Sequence, residues 1–141
     1  MIEEGTLLYF EPSEFKNGAA PKAKYFIVLA NSDEGFMVAS LPTSKDFIPS
    51  DIRIEKGGLN VPERDVNAYI FEAGAMVTDT FAFPRRTFVY GEQVDAYTEE
   101  DLAPMNDHVT NLGLIKPELF ADLKSYLKKA THIKRKYARL L

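Results

Sequence analysis

The side chains best placed to do chemistry in this 141-residue chain are a hydroxyl-and-cation run, Thr43-Ser44-Lys45, and an arginine pair, Arg85-Arg86. Hydroxyls donate hydrogen bonds and a lysine neutralises charge, so Thr43, Ser44 and Lys45 together can hold a phosphate. Arg85 and Arg86 lie between Phe83 and Phe88. Such an aromatic-flanked basic patch can stack on unpaired bases and grip their backbone. Each feature also has a plainer use. Thr43 and Ser44 can simply shape the turn after Pro42, and the two arginines can form an exposed hairpin tip.

Other chemistries find little to work with. The two histidines, His108 and His132, fall in different expected helices, and neither has a carboxylate at ligand-like spacing. His132 sits in a basic run, where a solvated or helix-end role suits it. Asp51, Glu55, Glu63 and Asp65 can supply a carboxylate pair, although a loop this charged brings acids together by composition alone. There is no phosphate-binding glycine loop, dinucleotide fingerprint or nucleophile elbow. Cysteine is absent, which excludes disulfides and thiolate metal sites. No metal and no cofactor are expected.

The elements that must position these residues read mostly as strands. Residues 5–10 (GTLLYF) form a first strand, and 13–21 (SEFKNGAAP) a loop by turn chemistry. Residues 24–30 (KYFIVLA) show almost no polar alternation, the pattern of a central strand covered on both faces. Residues 31–35 (NSDEG) make the hairpin turn, and 36–41 return as the partner strand. Pro42 ends that strand, because it cannot donate to a ladder. The run Thr43-Ser44-Lys45 therefore falls at the strand's open end.

Residues 46–65, with Pro49, Pro62 and Gly57-Gly58, read as a long excursion holding one short strand at 52–54. Strand character resumes at 67–71, returns briefly at 76–77 and 81–83, and continues at 87–90 and 93–97. Beyond this the chain reads as helical. Thr98 with Asp101 suggests a cap for a short helix toward Asn111, disturbed by Pro104, with Gly113 as its stop. Pro117 opens a longer helix whose stripe runs from Leu119 and Leu123 through Ile133 and Tyr137 to Leu140. Six or seven short strands before terminal helices indicate a mainly β (α+β) fold, a bent sheet or small barrel with a helix packed on it. Residues 1–97 would form the barrel and 98–141 its helical extension, as one structural domain.

Charge is unevenly spread. Residues 1–100 hold nine Lys/Arg against seventeen Asp/Glu, a balance of −8, whereas 101–141 hold eight against four, a balance of +4. An acidic body with a basic tail admits a nucleic-acid or acidic-protein partner, and equally a solvated helix face. The apolar stripe can pack on the chain's own barrel or join two copies as a homodimer. The N-terminus lacks the basic start and apolar run of a signal peptide, and no apolar run approaches membrane-spanning length. A soluble, cytoplasmic protein is expected.

The order of these features resembles the PemK/MazF family of toxin endoribonucleases, which have a small SH3-like barrel. In that family an early strand precedes a loop, a basic residue beside proline opens an apolar strand, and the next strand ends in Thr-Thr or Thr-Ser. The matching pieces are residues 7–10, the loop 13–21, residues 22–29 and Leu41-Pro42-Thr43-Ser44. The likeness covers residues 5–45 by motif and continues to Tyr97 by order alone. At the family's catalytic arginine stands Lys24, followed by Tyr25 rather than proline. A lysine lacks the planar fork of a guanidinium. The excursion 46–65 and the basic terminal helix lie outside the family core.

The resemblance implies metal-free RNA cleavage by attack of the ribose 2′-hydroxyl on the adjacent phosphate. Lys24, Thr43 and Ser44 would be catalytic, and Lys45, Arg85 and Arg86 would position the strand. Single-stranded RNA and an antitoxin protein are the implied partners. The alternative is a non-enzymatic SH3-like module that binds a protein or a nucleic acid, with the basic helix in the contact.

Overall fold

The apolar run YFIVLA builds the middle of the larger of two sheets. The computed structural model describes residues 3–10, 24–32, 35–42, 57–61, 66–98, 100, 109–130 and 133–141. In chain order these give β1 (Thr6–Phe10), β2 (Lys24–Ser32), β3 (Gly35–Pro42), β4 (Gly57–Val61) and β5 (Val66–Phe71). There follow β6 (Thr87–Val89), a 3-10 turn at Gly91–Gln93, β7 (Val94–Tyr97), β8 (Val109–Leu114), and helices α1 (Pro117–Lys129) and α2 (Arg135–Ala138). The mainly β class with C-terminal helices is the one the sequence leads to.

The five-stranded sheet has the order β7-β3-β2-β1-β8, and the three-stranded sheet the order β4-β5-β6. Every pairing is antiparallel. In β2, Ile27, Val28 and Leu29 are all 0 % exposed, so both faces of this strand are covered. Ile27 and Leu29 join the main core with Leu7, Met37, Leu41, Phe71 and Val89, which fills the space between the sheets and the helices. On the other face, Phe26 and Val28 cluster with Leu8, Phe10, Phe36 and Val38. Burying each of these larger side chains contributes about 1.5–3 kcal/mol, which makes β2 the most strongly fixed element.

Helix α1 begins at Pro117 and carries Glu118 in its first turn and Lys128 and Lys129 in its last, matching the helix dipole at both ends. Leu123 and Leu127 are 0 % exposed, and the helix lies on β4 and β5. The apolar stripe is thus used on the chain's own body. Gly58 of β4 permits a close approach: a Cβ there would sit 2.4 Å from the Tyr126 ring. The Tyr69 hydroxyl donates to Asp122 Oδ2 at 2.6 Å and fixes the helix against β5.

Three expectations need correction. Val109–Leu114 is a strand, not the end of a helix stopped by Gly113. It pairs with β1, and Gly113, at φ 104°, lies beside a register shift in that pairing. The terminal helix is not continuous, since α1 ends at Lys129 and a separate turn, α2, starts at Arg135. A strand runs through Gly57-Gly58, which read as breakers in the sequence, while the strand expected at 52–54 lies outside the described residues.

Candidate nucleic-acid interface

Lys24 is the first residue of β2 and is exposed. In the ladder it stands opposite Phe10 on one side and Pro42 on the other. Thr43, which follows Pro42 in the chain, lies outside the described residues, as do Ser44, Lys45, His108, His132, Asp51, Glu55, Glu63 and Asp65. The register therefore sets Lys24 across from the residue before the hydroxyl run.

Arg85 and Arg86 belong to an exposed turn between Phe83 and β6. Arg86 Nε donates to Glu72 Oε1 at 3.1 Å and its Nη2 to Oε2 at 3.2 Å, so its charge is matched within the protein. The Arg85 carbonyl accepts the Thr87 hydroxyl at 2.9 Å. Phe81 and Phe83 of the same segment pack on Tyr25, with the Phe83 ring edge-on at 4.9 Å. Side chains alternate along a strand. Lys24 therefore leaves the sheet on the Phe26 face, while the segment carrying the arginines lies over the opposite face with Tyr25. Lys24 and the arginine pair are not brought onto one surface.

The structure does bring cations together at the end of the chain. After Asp122 the sequence contains Lys124, Lys128, Lys129, Lys134, Arg135, Lys136 and Arg139 and no acid. Helix α1 stops when Ala130 turns extended, at ψ 140°. Ile133 and Tyr137, both buried, then pin α2 to the body. Between the helices lies a cavity of about 520 Å³ whose rim is Lys128, Lys129, Arg135 and Arg139. Ala130, Ile133 and Ala138 give it an apolar floor. Lys124 lies 5.1 Å from the Phe120 ring centre, and Lys134 and Lys136 lie 5.8 and 5.1 Å from that of Tyr137.

The nearby titratable groups hold structure rather than react. The Asp95 carboxyl is kept below its usual range chiefly by the Tyr137 hydroxyl and the Ala96 N–H; burial opposes them, and Lys134 and Lys136 add to the lowering. Tyr137 is raised in turn, first by that hydrogen bond and then by burial. Burial, then the bond to Asp122, raises Tyr69, and burial alone raises Tyr126. The Tyr69 and Tyr137 phenols stay protonated as donors. Among the described residues no three His, Asp or Glu side chains gather to hold a metal ion, and no helix is long and apolar enough to cross a membrane.

The groove escaped the sequence reading because Leu127, Ala130, Ile133 and Tyr137 keep helical spacing across a break in the helix. The one available signal was the weak helix propensity of Thr131 and His132. No family model, no curated protein and no solved structure matches the chain.

Proposed function

We propose that the protein is an RNA-binding module that holds single-stranded RNA in the groove between α1 and α2. The observation that carries this reading is the groove rim, formed by Lys128, Lys129, Arg135 and Arg139 with no acidic side chain among the described residues of the lining. An acidic protein binds a polyanion only where its cations are segregated, and the balance of −8 over residues 1–100 makes such segregation necessary. A cytoplasmic location belongs to this reading. Fluorescence anisotropy with a labelled single strand tests it. Four phosphate contacts give a plot of log affinity against log salt with a slope of about −3. Reversing all four rim charges to Glu removes binding. Wild-type protein that ignores RNA at low salt, or a reversed variant that binds equally well, refutes the reading.

A second reading is supported by the register of Lys24 with Pro42 and by the PemK/MazF resemblance. In it the ribose 2′-oxygen attacks phosphorus and the 5′-oxygen leaves, giving 2′,3′-cyclic phosphate and 5′-hydroxyl ends. Lys24 stabilises the developing charge or moves the proton, and Thr43 and Ser44 donate to the phosphorane oxygens. An antitoxin partner belongs to this reading. Purified protein free of any such partner would cleave mixed RNA to cyclic-phosphate ends and arrest bacterial growth on expression, with relief by Lys24→Ala or Thr43→Ala. An unchanged RNA ladder at high protein concentration excludes it.

A further inference from the structure

Helix α2 is a wall between two cavities. Arg135, Ala138 and Arg139 face the basic groove, while Lys136, Tyr137 and Leu140 face a second cavity of about 310 Å³. The turn continues past α2, with the Leu140 N–H bonded to the Tyr137 carbonyl at 3.0 Å. At 3.6 residues per turn the two sets of residues point to opposite sides of this single turn. Phe36 of β3 and Tyr97 of β7 line the second cavity from the sheet, beside Gly35, Ala96 and Thr98. Among the described residues its lining holds aromatic and aliphatic side chains, the Thr98 hydroxyl and one cation, Lys136, with no acid. Leu140, at its rim, is 50 % exposed.

We infer that this second cavity takes one unpaired base of the strand whose phosphates occupy the groove. The inference rests on the RNA-binding reading and adds a base site to it. Phe36 and Tyr137 are buried, so the partly exposed Tyr97 ring is the one that meets the π-face every base carries, and the cavity registers the presence of a base rather than its identity. Its volume lies at the lower end of the roughly 300–1,000 Å³ of small-ligand sites. A strand that crosses α2 moves by one helix diameter, about 10 Å, and so meets both sites. A duplex keeps its bases stacked inside and can fill only the groove. Cations on both sides of the wall favour a polyanion over an apolar peptide as the occupant.

The test compares a short single-stranded RNA with an abasic strand of equal length and charge. Wild-type protein should bind the base-bearing strand about tenfold more tightly. Tyr97→Ala should reduce that affinity to the abasic level and leave the abasic affinity unchanged. Because Tyr97 also meets Phe26 edge-on at 5.9 Å, a second measurement uses the unaltered protein. RNA carrying 4-thiouridine, irradiated in the complex, should crosslink within residues 96–98 or 136–140. Equal binding of the two strands, or crosslinks confined elsewhere, overturns the base site while the groove reading stands. Failure of wild-type protein to bind either strand overturns both.

Discussion

The Tyr137 hydroxyl donates to Asp95 Oδ1 at 2.8 Å, and this bond fastens α2 to the outer strand β7. The Tyr137 ring is 6 % exposed, so this bond adds to the buried Tyr137 and Ile133 side chains in holding the turn that separates the two cavities. Arg135 and Arg139 of the groove rim and Lys136 of the second cavity all sit on or beside this attachment.

Tyr137→Phe keeps the ring and removes the bond. The expected loss is about 1 kcal/mol, because the freed carboxylate can turn to water. Hydrogen exchange should quicken at residues 133–140 and change little in β2. The same variant has a pH signature. The folded Asp95 carboxyl lies below its ordinary value of 3.8, so its contribution to stability is complete above about pH 4 and is lost as pH falls through the lower folded value. Urea midpoints at about pH 5 and about pH 3 should therefore draw closer together in Tyr137→Phe than in wild type.

Alkali should act through α1. The phenols of Tyr69 and Tyr126 are raised above their ordinary value of 10.0, so the unfolded chain ionises first. Their contribution is complete below about pH 10 and declines above it. An ultraviolet titration should show a late tyrosine step that coincides with loss of the circular-dichroism signal. Tyr69→Phe should make that step smaller.

Gly58→Ala forces a methyl group to within 2.4 Å of the Tyr126 ring. A loss of about 1–3 kcal/mol is expected from the displaced helix. In a Tyr126→Ala background the same change should be nearly neutral. Thermal melts of the four proteins in the cycle give the coupling directly.

Arg135→Gln and Arg139→Gln should each reduce the magnitude of the salt slope for single-stranded RNA by about 0.7. The two effects should add, since each removes one phosphate contact. Anisotropy titrations at several salt concentrations measure this. Unchanged slopes would place the RNA elsewhere on the protein.

The hairpin of β2 and β3 was legible because an apolar run, a turn of small polar residues and a terminating proline all specify it locally. Strand β8 was not. Its Asn111 and Gly113 look like a helix end, and only pairing with β1, about a hundred residues earlier, makes it a strand. The break between α1 and α2 was hidden for a related reason, since Ile133 and Tyr137 remain in helical phase with Leu127. Cationic composition at the chain end was plain from the sequence. The groove needed the break. Lys24 stands at the first position of β2 as expected, but strand alternation, visible only once the partners are known, separates it from Arg85 and Arg86.

The pairing of β1 with β8 also governs when the protein can fold. On a ribosome, β1, β2 and β3 emerge early, yet β1 keeps one unpaired edge until residues 109–114 appear. The buried Leu123 and Leu127 come later still. About a hundred residues separate β1 from the strand that completes its sheet, which places folding among the slower, long-range cases, roughly milliseconds to seconds. During that interval the β1 edge is the segment most open to pairing with another nascent chain.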